Sequence, residues 1–326
     1  MTSYAVIATG PGQVEFGPVQ SDEPGPDDVV IELTHSWISN GTEGSFLRGE
    51  RIAGDTARRN TDPLPFPHVP GYQSVGTVVA RGRHVAEVAE GQRVFATLGR
   101  LRGMFYPFGG HVSPLVCAAS EVIPVPDGVT SLAASGLTLM QVGWNAAHRA
   151  LVASGTRALV IGDGLLGIWT SEWLAERGAH ITVLGRHTER LRHAAGIGVS
   201  AWEDVPETLD LVIHTAGDIH AVRRAMARLV RTGQLVTAGF LGAEGALDLQ
   251  ELRDQEISIH AISGWTRPRL ERTLAGLAAG HVSAESLVTH RFPARCAATA
   301  YDLILAGSAP SGPDARPLGV VLEWAA

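Results

Sequence analysis

The 326-residue chain has little cysteine, little charge and no long uninterrupted apolar run. Cys117 and Cys296 are its only cysteines, too few for a disulfide framework or a cysteine-rich zinc lobe. No apolar stretch is long enough to cross a membrane. The N-terminal residues lack the basic and apolar regions of a signal peptide. These absences predict a soluble, cytoplasmic protein without a membrane partner.

The balance of charge excludes a further class of partner. The chain has 26 Lys and Arg against 33 Asp and Glu, which gives a formal net charge of −7. General nucleic-acid binding needs a basic surface, so it is not expected here. Hydrophobic residues make up 45% of the chain and charged residues 18%, a composition typical of a packed core. The length predicts two domains, at about 100–200 residues each.

A glycine-rich segment, G-D-G-L-L-G, follows an apolar run and precedes a helix-like segment. In such a fingerprint Gly162 permits a tight turn, Gly164 lets the backbone approach phosphates, and Gly167 lets the helix pack on the strand. Leu165 and Leu166 begin the helix, whose N-terminal N–H groups and dipole favour an anion. The segment therefore predicts a dinucleotide pyrophosphate site.

The texture of the chain changes near residue 122. Residues 1–121 contain short apolar or alternating runs separated by Gly and Pro, which predicts a β-rich domain. Between 122 and 265, apolar strands alternate with helix-like segments, which predicts a doubly wound parallel sheet covered on both faces. The apolar strand at 318–324 is expected to return to the first domain. The fold class is α/β, with 1–121 and 266–326 in one domain and 122–265 in the other.

Three local motifs carry a family resemblance: V-P-G-Y-Q-S-V-G at 69–76, F-G-G-H at 108–111 and T-G-Q-L-V at 232–236. With the glycine fingerprint, they resemble the medium-chain dehydrogenase/reductase superfamily over essentially the whole chain. The resemblance implies a GroES-like β-rich catalytic domain, a Rossmann domain for NADP(H), and oxidoreductase activity on a small molecule.

Within that superfamily the chain looks most like the bacteriochlorophyllide dehydrogenase-like branch. The similar segments are I-S-N-G-T-E at 38–43, L-V-T-H-R at 287–291 and V-V-L-E-W at 320–324. The resemblance to this branch does not predict the substrate. A small metabolite of a biosynthetic pathway is at least as well supported as a pigment.

The zinc-binding motifs of the superfamily are altered in this chain. Zinc-dependent members carry Cys-Gly-Thr-Asp and Gly-His-Glu, where this chain has Asn40-Gly41-Thr42-Glu43 and Gly71-Tyr72-Gln73. The third ligand would come from the helix before the Rossmann domain, where only His148 is available. Catalytic zinc needs three protein ligands, so no metal is expected. A shifted site is the alternative; its ligands would be His35, His68 and His111.

Without a metal, hydrogen-bond donors must polarise the substrate oxygen. The candidates are Tyr72, Thr42, Asn40 and Glu43. The Tyr72 hydroxyl replaces a zinc-binding histidine and suits a general acid; its alternative role is packing. Thr42 matches a proton-relaying hydroxyl, Asn40 matches an asparagine of zinc-free quinone reductases, and Glu43 has a structural alternative.

The end of the second Rossmann strand predicts the cofactor. NAD sites usually hold an acid there, which binds the ribose 2′-hydroxyl. This chain has Gly185, followed by Arg186 and His187, with Arg190 one turn later. A small residue beside arginines suits a 2′-phosphate, which predicts NADP(H). The alternative is that Arg186 and Arg190 form a solvated helix start.

Further cofactor contacts are predicted at strand ends and by the family resemblance; the glycines among them are alternatively turn residues. The predicted contacts are Thr215, Gly217, Gly239, Phe240, Gly264, Trp265, Thr138 and Arg316.

A cleft between the two domains is expected to hold the substrate, with Trp37, Tyr106, Phe108 and Trp265 as wall residues or, alternatively, core. Three functions remain open: a zinc-independent NADPH-dependent carbonyl reductase or secondary-alcohol dehydrogenase, an NADPH-dependent reductase of a C=C bond conjugated to a carbonyl, and a non-catalytic NADPH sensor. The Rossmann strand at 257–262 is predicted to pair across a two-fold axis in a homodimer.

Overall fold

The computed structural model describes residues 1–242, 245–306 and 317–324. The chain forms two compact units. Unit 1 comprises Met1–Thr138 and Ala284–Ala326, and unit 2 comprises Leu139–Ser283.

The first twelve strands precede the helical part of the chain: β1 (Thr2–Gly10), β2 (Gln13–Ser21), β3 (Asp28–Ile38), β4 (Arg51–Ala53), β5 (Thr56–Ala57), β6 (Ser74–Arg81), β7 (Arg93–Ala96), β8 (Gly99–Arg102), β9 (Phe108–Gly109), β10 (Val112–Ser113), β11 (Leu115–Ala118) and β12 (Ile123–Pro124). The later strands are β13 (Arg157–Ile161), β14 (His180–Leu184), β15 (Ile197–Val199), β16 (Leu209–His214), β17 (Leu229–Thr237), β18 (Ser258–Ala261), β19 (Val288–Pro293) and β20 (Gly319–Glu323). The α-helices are α1 (Asn40–Leu47), α2 (Ser131–Ala134), α3 (Leu137–Arg149), α4 (Leu165–Glu176), α5 (Thr188–Leu191), α6 (Ile219–Met226), α7 (Leu249–Asp254), α8 (Arg267–Ala278) and α9 (Ala297–Ala306).

Unit 1 is built on two sheets that confirm the predicted β-rich domain. One sheet has the order β10-β1-β2-β8-β9, and the other has the order β12-β7-β6-β3-β20-β19 with β11 also on β3. Strand β20 pairs antiparallel with β3, so that Val321 lies opposite Trp37. The prediction that the last strand returns to the first domain is thereby confirmed.

Unit 2 contains a six-stranded parallel sheet of order β15-β14-β13-β16-β17-β18. The central strands β13 and β16 are buried along nearly their whole length, as expected when helices cover both faces of a sheet. Its core joins Leu159, Leu209, Val212 and Leu235 to the buried side of α6. The predicted doubly wound domain is therefore present.

The two units divide at residues 138/139 and 283/284, whereas the sequence places the divisions near 122 and 266. The later divisions follow from helix packing. A Cβ on Gly276 of α8 would lie 2.2 Å from the Trp173 ring of α4, so α8 packs closely within unit 2. A Cβ on Gly143 of α3 would lie 3.1 Å from Trp169 of α4, which places α3 on the same unit.

His214, the last residue of β16, is fully buried. Neither ring nitrogen has a hydrogen-bond partner among the described residues, and a Cβ on Gly239 would lie 2.7 Å from the ring. Burial lowers the pKa of His214 from 6.5 to about 4. Between those two pH values His214 is therefore protonated in the unfolded chain and neutral in the folded chain.

We predict that unfolding free energy falls by about 2 kcal/mol between pH 7.5 and pH 5 because of His214 alone. The contribution of His214 to the free energy of unfolding is fully present above pH 6.5 and is lost as the pH falls toward 4. Urea unfolding at the two pH values should show a smaller drop for His214→Leu than for the parent. The exposed control His193→Leu should keep the full drop, and an equal drop in both variants would contradict the assignment.

Candidate functional site

The glycine fingerprint adopts the geometry that its sequence predicts. Gly162 follows β13 with φ +124°, a conformation that favours glycine, and Gly164 is the N-cap of the 12-residue helix α4. A Cβ on Gly167 would lie 1.9 Å from the carbonyl oxygen of Gly162, so only glycine fits there. Leu165 and Leu166 form the first turn of α4, whose first N–H groups have no intrahelical acceptor. The loop and the helix start therefore fit a pyrophosphate.

Asp163, between the first two glycines, is the cofactor-side residue that the sequence reasoning overlooked. Its Oδ2 accepts hydrogen bonds from the backbone N–H of Arg186 at 2.6 Å and of His187 at 2.7 Å. The His187 Nδ1 atom lies 2.9 Å from the same oxygen. A Cβ on Gly185 would lie 2.4 Å from the Asp163 Cβ. The acid missing from the end of β14 is thus replaced in space by a carboxylate from the glycine loop.

The two predicted phosphate-binding arginines differ in their surroundings. Arg190 lies 3.7 Å from the Asp163 Oδ1 atom and is mostly buried. Arg186 is exposed, and no side-chain contact of its guanidinium is found in the described part of the chain. The arrangement leaves Arg186 available to an anionic ligand, with Arg190 beside Asp163.

Several other predicted cofactor residues lie at the same edge of the unit 2 sheet as the fingerprint. Thr215 donates its hydroxyl to the carbonyl of Ile161 at 2.8 Å, immediately below Gly162. Gly217 and Phe240 follow β16 and β17, and a Cβ on Gly217 would lie 2.9 Å from the Phe240 carbonyl. Strands β13, β16 and β17 are parallel neighbours, so their carboxyl ends meet at this edge.

The remaining predicted cofactor residues have varied environments. Gly239 packs against the carbonyl of Ala216, where a Cβ would lie 2.1 Å from the oxygen. Gly264 accepts a hydrogen bond from Gln141 at 3.4 Å, and Trp265 beside it is half-buried.

Two more of these predictions concern residues outside unit 2 proper. Thr138 belongs to unit 1 and donates its hydroxyl to the Tyr72 carbonyl at 3.2 Å. Arg316 lies outside the described residues.

Asn40 occupies the first position of α1, where zinc-dependent members have a cysteine. Its side-chain amide donates to the Leu318 carbonyl at 2.9 Å and to the Pro317 carbonyl at 3.4 Å. Both amide protons are thereby used to hold the segment before β20. The prediction that Asn40 acts as a catalytic donor is corrected on this ground.

Tyr72 lies where the zinc-binding histidine would be, and its hydroxyl hydrogen-bonds with the side chains of Ser39 and Thr42. The pKa of Tyr72 is raised to about 12, mainly by burial; the hydroxyls of Ser39 and Thr42 act to lower it and the negative charge of Glu43 acts to raise it. A phenol with this pKa stays protonated at neutral pH. The structure thus brings together two of the predicted catalytic residues, Tyr72 and Thr42, and makes Tyr72 a permanent donor.

Glu43 is only 2% exposed and interacts entirely with protein groups. Its Oε1 accepts the Ser39 N–H at 2.7 Å, and its Oε2 lies 3.0 Å from the His111 Nε2 atom and accepts the Tyr301 hydroxyl. A carboxylate buried in this way is stabilised by its donors, and both of its oxygens already accept hydrogen bonds from the protein. The prediction of a direct catalytic role for Glu43 is therefore corrected to an indirect one.

The far side of the His111 ring continues this network. Its Nδ1 atom lies 2.8 Å from the Ser36 hydroxyl, which also accepts the Trp324 indole N–H at 2.8 Å. His111 was considered only as a ligand of a shifted metal site. Among the described residues, no three His, Cys, Asp or Glu side chains come together as a metal site.

The residues present do not fit a catalytic zinc. The donors at the positions of the first two ligands are an amide that is already hydrogen-bonded and a phenol that stays protonated. Catalytic zinc takes thiolate, imidazole or carboxylate ligands.

Trp37 was predicted to line the substrate site, but its ring is fully buried. Gly136 and Gly319 pack against it; a Cβ on either would lie 2.9 or 2.6 Å from a ring atom. Trp37 is therefore a core residue and does not line the substrate site, because the two glycines let the backbone pack directly against its ring.

The other predicted aromatic residues of unit 1 remain at the surface. Tyr106 stacks with Phe108 at 5.8 Å and contacts Phe105 edge-on at 4.9 Å. Phe108 is 44% exposed and Phe105 is 38% exposed. They are available to a substrate as the sequence predicts, and their role stays a prediction.

Comparison with known proteins identifies related sequences along the whole chain. Residues 25–127 match the family model of the alcohol dehydrogenase GroES-like domain. A 2-desacetyl-2-hydroxyethyl bacteriochlorophyllide A dehydrogenase of Rhodobacter capsulatus is 30% identical over 99% of both chains. The protein of the same name from Cereibacter sphaeroides is 29% identical over 100% of this chain and 99% of its own.

Solved structures share the fold at lower sequence identity. A dehydrogenase of Sinorhizobium meliloti bound to NADP has a TM-score of 0.81 and 18% identity, covering 99% of this chain and 100% of its own. An alcohol dehydrogenase of Escherichia coli complexed with NADH has a TM-score of 0.82 and 19% identity over 99% of both chains.

The contact between Asp163 and Gly185 generates a prediction. Gly185→Asp should lower unfolding free energy by about 1–3 kcal/mol, because the new side chain would overlap Asp163. In the Asp163→Gly background Gly185→Asp should lower the free energy of unfolding much less. The space of the Asp163 side chain is then empty, and the new carboxylate can replace the one that was removed. Thermal unfolding of the two single variants and the double variant checks this, and additive losses would contradict it.

Proposed function

The chain belongs to the medium-chain dehydrogenase/reductase superfamily, and on this premise we propose that it is a zinc-independent, NADPH-dependent oxidoreductase. It interconverts a carbonyl and a secondary alcohol on a small biosynthetic metabolite by hydride transfer. The observation that carries the proposal is the Tyr72 hydroxyl, a protonated donor at the position of a zinc ligand. Its relatives are named dehydrogenases, which supports an oxidoreductase.

In reduction, the Tyr72 hydroxyl donates a hydrogen bond to the substrate oxygen and then its proton, as negative charge develops there. When bound, the nicotinamide cofactor supplies the hydride. Thr42 and Ser39 hold the phenol in place, and in reduction their hydroxyls relay a proton from solvent to the Tyr72 oxygen to replace the one given to the substrate. In oxidation the alcohol proton passes to the Tyr72 oxygen while the phenol gives its own proton to Thr42 or Ser39, so that Tyr72 stays protonated. Glu43 does not touch the substrate and acts by fixing the start of α1.

The residues of unit 2 fit a dinucleotide, and we assign it to NADP(H). Asp163 has a carboxylate that could favour the ribose hydroxyl of NAD. However, three N–H donors and the nearby Arg190 already offset its charge. Arg186 remains exposed for a 2′-phosphate. The balance of these groups favours NADP(H).

The sheet edge of unit 2 supports the proposal of a homodimer through this unit. Strand β18 lies at the end of the parallel sheet, and Ile259 on it is 38% exposed. An exposed edge strand has unpaired N–H and C=O groups that a second copy can pair with.

An assay panel tests the reaction class. NADPH oxidation with ketones, and not with enones, is the expected result. The opposite selectivity would replace the proposal with reduction of a conjugated C=C bond, which also needs only an oxyanion donor. Tight NADPH binding without turnover of either class would leave a non-catalytic sensor.

Arg186→Ala is predicted to reduce the ratio of NADPH to NADH catalytic efficiency by about 10-fold or more, because a charge-assisted bidentate contact to the 2′-phosphate is lost. Arg192→Ala is the matched control, since Arg192 is an exposed arginine six residues later. Steady-state kinetics with both cofactors measures the ratio. An unchanged ratio in Arg186→Ala would remove Arg186 from cofactor selection.

Tyr72→Phe is predicted to reduce kcat by about 100-fold or more, because the positioned acid is lost while the ring is kept. The dissociation constant for NADPH should stay at the parent value, as measured by fluorescence titration. Tyr4→Phe, at a residue 55% exposed, is the control and should have no effect. Turnover of Tyr72→Phe equal to that of the parent would assign the proton transfer to another group.

A further inference from the structure

We propose that His111 is a positioning residue for the reaction: with Tyr301 it holds the buried Glu43 carboxylate in one orientation, and through Glu43 it fixes the Tyr72 hydroxyl. This inference rests on the proposed function, because it assigns His111 a part in the placing of the Tyr72 donor. His111 is fully buried and reaches no substrate.

The hydrogen-bond chain through His111 has one consistent direction. The Trp324 indole N–H can only donate, so the Ser36 hydroxyl accepts from it at 2.8 Å. The Ser36 proton is then available to His111 Nδ1, also at 2.8 Å. The ionised Glu43 carboxylate can only accept, so the proton of the ring is assigned to Nε2, which donates to Glu43 at 3.0 Å.

The Glu43 carboxylate accepts the last hydrogen bond of this chain and also accepts hydrogen bonds from two groups outside it. Tyr301 is 1% exposed and donates its hydroxyl to the same oxygen that His111 contacts. The other oxygen accepts the Ser39 N–H at 2.7 Å. All three partners are donors, so they replace the water that the buried carboxylate has lost.

Glu43 is connected to Tyr72 by two short links. Ser39, whose N–H binds Glu43, also contacts the Tyr72 hydroxyl with its side chain. The second link is electrostatic: after burial, which is the main cause of the raised pKa of Tyr72, the charge of Glu43 also acts to raise it. If the Glu43 carboxylate changes its orientation, Ser39 is therefore displaced, and the Tyr72 hydroxyl is displaced with it.

The His111 ring also packs against the backbone that carries Tyr72. A Cβ on Gly71 would lie 2.6 Å from the ring, and Gly71 has φ +86°, so only glycine serves there. A Cβ on Gly110 would lie 2.6 Å from the Tyr72 nitrogen. The His111 ring and the backbone at Tyr72 therefore pack closely, with no space for a larger side chain at Gly71 or Gly110.

The first test needs no substrate. The chain has four tyrosines, so 13Cζ-tyrosine NMR gives four resonances, of which Tyr72→Phe identifies one. We expect the Tyr72 resonance to move in His111→Leu and in Glu43→Gln. It should stay in place in Ser21→Ala, which removes a buried hydrogen bond to Ser3 elsewhere in unit 1. An unmoved Tyr72 resonance in His111→Leu would overturn the inference.

The proton on the ring is read by 15N-histidine NMR between pH 6 and 8. The ring proton is expected on Nε2 of His111. A proton on Nδ1, or a doubly protonated ring, would contradict the assigned direction of the chain. Both NMR measurements are decisive even if no ketone or enone is turned over, an outcome that would refute only the proposed function.

Kinetics separates positioning from a purely structural role. His111→Leu should lower kcat about 10- to 100-fold, because a buried charged acceptor loses a donor, and leave the NADPH dissociation constant unchanged. His111→Gln keeps an N–H near the Nε2 position and should recover most of the loss.

A double variant completes the kinetic test. If His111 acts through Glu43, His111→Leu should have little further effect on kcat in the Glu43→Gln background. Additive losses, together with no rescue by His111→Gln, would show that His111 only stabilises the fold.

Discussion

The buried carboxylate of Glu43 is the group around which the polar side chains of unit 1 are arranged. A charge that is 2% exposed persists only where donors replace its lost hydration. Those donors come from the end of β3, from the segment after β9, and from α9, which are far apart in sequence. The position of α1, and with it the surroundings of the Tyr72 hydroxyl, depends on this one set of hydrogen bonds.

Unit 2 uses a similar device at its glycine loop. Asp163 projects into the space beside Gly185 and binds the turn that follows β14. A carboxylate from the loop therefore organises residues that would otherwise be held by an acid at the strand end. In both units a buried acidic side chain fixes backbone beside a group that we propose to bind ligand: Glu43 fixes the start of α1 beside Tyr72, and Asp163 fixes the turn that carries Arg186.

The sequence was sufficient for the fold because its signals are local. Buried apolar strands alternating with helices predict the parallel sheet, and the close approach of Gly167 to Gly162 is implied by their spacing. The site was only partly predictable because its contacts are not local. Glu43 meets His111 across 68 residues and Tyr301 across 258, and no spacing rule connects them. Trp37 was misassigned because its burial depends on Gly136 and Gly319, far from it in sequence.

The central claim is that a protonated phenol, and not a bound metal, polarises the substrate. Its most direct test is turnover by protein stripped of metal with a strong chelator and verified by elemental analysis, with NADPH and a ketone that the native protein reduces. If the Tyr72 phenol polarises the substrate, kcat is unchanged after removal of metal from the protein and is unaffected by added Zn²⁺. Loss of turnover on stripping, with recovery on addition of Zn²⁺, would contradict it.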